Sequence, residues 1–277
     1  MRNFRLVNKD GKEYRLLTRQ MFLHSPSGLG YKENTTYQQL GNQFAVVDAG
    51  FGQANPKGYI FFPQPNAYQK YHDFVQFCQD TPLRLFYKPK TTEYVMDVRL
   101  DEITKTEIDV TTGLNCSVSF LGQTMWYKEV RDINTGGATD GKIYEYTYDY
   151  QYEGNIPNTV SFDSDSFYDS PMRLTIFGEC DNPQWQHYVD GELVATGGVT
   201  GHIGDGMRLV VDATTIPYSI REINGLGETV LDMYQFSDFN TARFLKAQHG
   251  KNRVVISHEG LDALGVVVEA RISYASV

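Results

Sequence analysis

Cysteine is scarce in this 277-residue chain: Cys78, Cys116 and Cys180 are an odd set with no Cys-x-x-Cys pair. That spacing supports neither a disulfide framework nor a zinc site. Long apolar runs are missing as well, and none approaches the roughly 18 residues of a membrane span. The opening "MRNFRLVNKDGKEYRLL" carries charge throughout and has no signal-peptide core, so folding in a reducing cytoplasm is expected, with no membrane partner. Basic charge is short too. The net charge is −9, with 17 Lys/Arg against 15 Asp/Glu in residues 1–142 and 8 against 19 in residues 143–277. No basic footprint for wrapping nucleic acid exists, and the acidic second half suits solubility and repulsion of polyanions.

Catalytic signatures are equally absent. The segment "GGATDGK" fits the glycine spacing of a phosphate loop from Gly136 to Lys142, but Ile143 stands where Ser or Thr would bind magnesium. A strand pattern follows where phosphate binding needs a helix N-terminus. The glycines of "GGVTGHIGDG" lack dinucleotide-loop spacing and read as a long hairpin turn. Asp163, Asp165 and Asp169 lie close together without the glycine and glutamate of an EF-hand loop. The six histidines form no His-x-His or His-Glu-x-x-His pair, and no Gly-x-Ser-x-Gly elbow occurs. The expectation is a protein with no enzyme activity, no metal and no organic cofactor.

Helical periodicity is confined to one segment, "NAYQKYHDFVQFCQDTP". There Tyr71, Phe74, Val75 and Cys78 fall on one stripe. Asn66 with Gln69 predicts a capping box, and Pro82 a stop, so a helix is expected over about 67–80. What the chain has in quantity is tyrosine (19), phenylalanine (16) and glycine (25), a mixture that favours sheets and turns. Residues 4–17 read as a hairpin around "NKDG". "QFAVVDAG", "KGYIFF", "LRLFYKP", "EYVMDVRL" and "LNCSVSFL" read as further strands. From Met172 a second all-β pattern of seven or eight strands begins. In it, Asp190-Gly191 marks a type I′ hairpin turn.

The softest stretch, "DINTGGATDGK", divides the two halves. Directly after it, "YEYTYDYQY" sets Tyr144, Tyr146, Tyr148, Tyr150 and Tyr152 on one face of a strand. Such a ladder suits a sugar-stacking platform, a face packed on its own domain, or a strip joining two bodies. In the second half Trp185, His187 and Tyr188 of "PQWQHYVDGE" are candidates to stack on a sugar, as in a lectin-like carbohydrate-binding module; the alternative is that Trp185 and Tyr188 fill a core. The expected architecture is mainly β. Residues 1–130 form a β-sandwich or barrel with one helix, 131–170 a linker with the tyrosine strand, and 171–277 a second β-sandwich.

The order of segments gives a resemblance. "YQKYHDFVQFCQDTPLRLFYKP", "EYVMDVRLDEITKTEID" and "LNCSVSFLGQTMWYK" precede the Tyr-rich junction. "LTIFGECDNPQWQHYVDGELVATG", "MRLVVDATTIPYSI" and "VEARISYAS" follow it. This order resembles the distal tail proteins of long-tailed phages that infect Gram-positive bacteria, and of their tail-derived relatives. The resemblance implies an N-terminal belt domain with one α-helix and a C-terminal galectin-like β-sandwich. It further implies a homo-hexameric ring at the virion tail tip, assembled in the host cytoplasm. That ring would join the tail tube protein to the tail-tip or tail-associated lysin protein, with receptor-binding proteins at its periphery and DNA passing through without specific binding. In that setting the tyrosine ladder is a junction strand pinning the second sandwich to the first.

Overall fold

The computed structural model describes residues 2–19, 21–108, 113–134, 158–259 and 264–277. The tyrosine ladder, Tyr144 to Tyr152, and the Gly136–Lys142 segment lie outside the described residues. The fold is mainly β, as the tyrosine- and glycine-rich composition implies, and its contacts divide the chain into two units. The first comprises Met1–Lys128 with Ser273–Val277, and the second Glu129–Ile272.

The first unit holds β1 (Asn3–Val7), β2 (Glu13–Arg15), β3 (Phe22–Ser27), β4 (Glu33–Leu40), β5 (Gln43–Phe51) and β6 (Lys57–Pro63). Helix α1 (Ala67–Gln79) follows, then β7 (Leu83–Lys88), β8 (Tyr94–Ile103), β9 (Gly113–Gly122) and β10 (Trp126–Asn134), along which the chain leaves the unit. The "NKDG" hairpin forms as expected, pairing Leu6 with Tyr14. Strand β8 organises the rest. Its first half pairs with β7 and touches β10 at Val95–Tyr127; its second half pairs with β9, which continues to β6 and β3.

Alternation sets the core. In β9, Leu114, Cys116, Val118 and Phe120 point inward, and Asn115, Ser117 and Ser119 point away. Helix α1 buries Ala67, Phe74 and Cys78 and half-buries Tyr71 against this surface, as its 3.6-residue stripe requires. Phe74 meets Phe62 at 5.9 Å and the edge of Tyr14 at 5.5 Å. The predicted capping box does not form. Asn66 takes a left-handed conformation (φ 66°) and makes no side-chain cap, while Gln69 Nε2 donates instead to Asp73 Oδ1 at 2.7 Å. With Asn66 in that conformation the local geometry is a tight turn into the helix, and Gln69 finds its partner one turn onward along the helix surface. Tyr274 and Val277, from the end of the chain, pack on the same core.

The second unit contains β11 (Thr159–Ser164), β12 (Ser170–Phe177), β13 (Cys180–Val189), β14 (Glu192–Gly198), β15 (His202–Ile203), β16 (Arg208–Asp212), β17 (Ser219–Ile223) and β18 (Thr229–Asp232). A single 3₁₀ turn at Tyr234–Phe236 precedes β19 (Lys246–Ala247), β20 (Gly250–Glu259) and β21 (Gly265–Tyr274). One sheet runs β18-β17-β16-β12-β21 and the other β11-β20-β13-β14. Burial alternates strictly along β12, whereas in β16 and β21 the consecutive residues 209–211 and 266–268 are buried on both faces. Among the described residues ten strands occur from residue 170 onward where seven or eight were expected, the two-residue β15 and β19 accounting for the excess. Residues 159–164, assigned from the sequence to the linker, are a full strand paired with β20. The Asp190-Gly191 turn is as expected: both residues have positive φ (50° and 89°) and Val189 pairs with Glu192.

Candidate interaction surfaces

The least protected part of the first unit is the β4–β5 hairpin. Its residue types explain its form: Thr35, Thr36, Tyr37, Phe44, Val46 and Val47 favour extended backbone. Gly41, at φ 64°, begins a two-residue loop with Asn42 that closes Leu40 against Gln43. The register sets Tyr37 beside Val46 and Gln39 beside Phe44 on one face, with Leu40 on the other. Tyr37, Leu40, Phe44, Val46 and Val47 are each 58–69% exposed, and among the described residues the two strands pair only with one another.

A two-stranded ribbon is marginal in water by itself, and exposed apolar strand edges invite another chain. The base of the hairpin is fixed by Gly28. Its φ is +72°, and any Cβ there would run into the Asn55 carbonyl. Sequence reading found β5 but missed β4. Gly41-Asn42 between two β-prone runs was the available signal.

The sugar-stacking candidates are placed differently from that expectation. Trp185 is 0% exposed, and its Nε1 donates to the Arg243 carbonyl at 3.2 Å. His187 is 1% exposed. Asn252 Nδ2 donates to the Gln248 and Gly250 carbonyls, so its Oδ1 accepts from His187 Nε2 at 3.0 Å, which fixes the Nε2-protonated tautomer. Burial pushes the His187 pKa below its ordinary value, with the Asn252 hydrogen bond opposing the shift. Tyr188 is half-buried, its hydroxyl donating to Gln186 Oε1 at 2.8 Å and its ring 4.7 Å beneath the Arg253 guanidinium. The three therefore do not share a sugar-facing surface. Trp185 and His187 are core residues because β13 turns that side toward the interior and leaves Gln184 and Gln186 outside.

Among the histidines outside the core, His202 has its Nδ1 2.8 Å from Asp181 Oδ1. Its pKa is raised by that hydrogen bond, and Glu179 and Glu222 add to the effect. All three cysteines are buried free thiols, and burial raises Cys78 to about 12 and Cys180 to about 11. Thiols in that state are poor nucleophiles and metal ligands.

Residues 3–122 match the family model described as the distal tail protein, N-terminal domain.

No curated protein sequence matches the chain. Among solved structures, it is similar to a chain of the phage p2 baseplate in its activated conformation with strontium. The two are 15% identical over 100% of both chains, with a TM-score of 0.66. The same baseplate with calcium gives 16% identity, the same coverage and the same score. The crystal structure of SPP1 Dit, titled a paradigm of the hub adsorption apparatus in phages infecting Gram-positive bacteria, is 10% identical over 96% of this chain and 98% of that one, with a TM-score of 0.61. At these identities the likeness is one of fold.

Proposed function

We propose that six copies of this chain close into a ring at the tip of a phage tail, each β4–β5 hairpin lying on the next copy. The hairpin carries this reading. Five side chains exposed to this degree would contribute about 1 kcal/mol or more each on burial, hence roughly 5–10 kcal/mol per contact before the cost of association. A hairpin on one copy that docks on a different surface of its neighbour is a heterologous contact, and such contacts close into rings when the rotation allows.

Charge supports the arrangement. The near-neutral first half can crowd around an axis, while the acidic second half is better placed outward. The ring joins the tail tube protein to the tail-tip or tail-associated lysin protein and offers its periphery to receptor-binding proteins, and DNA passes through its centre without specific binding. The two-sheet second unit fits the galectin-like sandwich that the resemblance implies.

Native mass spectrometry tests the ring. Six copies of the 31.5-kDa chain are expected. Phe44→Asp with Val46→Asp should release monomers whose melting temperature is unchanged, since both positions are exposed. Dimers or trimers, or a ring indifferent to both substitutions, would overturn the proposal.

A further inference from the structure

The second unit carries an aromatic cleft. Pairing of β17 with β18 sets Arg221 opposite Asp232, and Ser219 stands two residues before Arg221 on the same face. Tyr218, Tyr234 and Phe244 complete the lining of a cleft of 630 Å³, with Ile216, 94% exposed, at its rim. Phe244 lies between the two tyrosines, 5.1 Å from Tyr218 and 6.2 Å from Tyr234, the latter pair nearly parallel at 26°.

Tyr234 is held in place. Its hydroxyl accepts from the Arg243 guanidinium at 3.2 Å, and its backbone N–H donates to Asp232 Oδ1 at 2.9 Å. The apolar walls are therefore preformed, and Tyr218 and Tyr234 still show much of their surface to solvent.

The polar floor is incomplete. Ser219 Oγ and Arg221 Nε are both buried from solvent and have no hydrogen-bond partner among the described residues. A buried polar atom without a partner is costly, and the cost is removed when a ligand supplies one. The floor offers a guanidinium donor, a carboxylate acceptor and a hydroxyl that can do either. Its two charges cancel, so neither an anion nor a cation is favoured. An apolar peptide would leave Arg221 and Ser219 unsatisfied. A pyranose presents a C–H face for the aromatic rings and an edge of hydroxyls that both donate and accept, the combination this cleft complements.

We propose that the cleft between Tyr218 and Tyr234 binds a neutral pyranose saccharide, with Arg221, Ser219 and Asp232 reading its hydroxyls. The site is independent of ring closure, which involves the other unit.

The full chain is screened on an array of neutral hexose and N-acetylhexosamine oligosaccharides, and hits are titrated by calorimetry. At least one should bind saturably. Tyr218→Ala and Asp232→Asn, both at exposed positions, should each weaken it about tenfold with the melting temperature retained. Thr241→Ala, in a separate polar cleft with Asn182 and Gln184, should leave it unchanged. Absence of any neutral saccharide ligand, or binding indifferent to both variants, would overturn the proposal. So would a cleft that holds a tail protein in a Tyr218-dependent way and no saccharide. Native mass spectrometry of the same samples reports the ring separately, so failure of one proposal is distinguishable from failure of the other.

Discussion

Truncating Trp185 to alanine separates a core role from a binding role at the position where the sequence suggested either. The indole is fully buried and donates a hydrogen bond to the Arg243 carbonyl. Gly197, opposite it on β14, sits so close that a Cβ there would collide with the indole around Nε1. Backbone held in a paired strand cannot move in to fill the space that the indole leaves. The cost should therefore lie in the upper part of the range for large aromatics, about 4–5 kcal/mol. For a unit of this size each kcal/mol moves the midpoint by about 2–4 °C, so a fall of roughly 8–20 °C is expected.

Differential scanning calorimetry of the full chain reads this as a shift of the second unit's transition. Tyr188→Ala, at a half-buried site, should cost about 1 kcal/mol or less. A Trp185→Ala protein that melts within about 2 °C of the parent would refute the packing argument.

Three other outcomes follow from the same geometry. His187 is buried neutral with its pKa lowered, so the unfolded state takes up a proton first. Stability of the second unit should be full above pH 6.5 and fall as pH drops below it, a slope that His187→Gln flattens; the raised pKa of His202 works in the opposite sense and is removed by His202→Gln. Gly250 has φ +109° and faces the Asp190 side chain, whose Oδ1 accepts from Lys251 N at 2.8 Å. Gly250→Ala should therefore cost about 2 kcal/mol by urea titration, and an unchanged midpoint would contradict the strain. The native protein should react only slowly with maleimide at pH 8 and show three reactive thiols in guanidinium; rapid native labelling of Cys78 or Cys180 would contradict their burial.

Much of the scaffold was legible in the sequence. Helix α1 announced itself because one apolar stripe stood among segments of period two, and the Asp190-Gly191 turn because few residue pairs accept positive φ twice in succession. Strand β4 was hidden for a physical reason: a ribbon exposed on both faces has no buried face to impose alternation. The Asn66 cap failed because residue types that cap helices also favour left-handed turns, and the sequence does not say which wins. Trp185 and His187 shared a face, as their spacing required, but only the fold shows that this face is the interior. The cleft was invisible from spacing, since Tyr218, Asp232 and Phe244 meet only through the β17–β18 register and the return of the chain at residue 244. The tyrosine ladder lies outside the described residues and keeps its three readings.

The central claim is tested most directly by a reconstruction of the assembled tail tip in which copies of this chain are counted. Six copies around an open channel, each with residues 33–51 covered by its neighbour, is the predicted result. Two or three copies, or six whose hairpins touch no other chain, would contradict it.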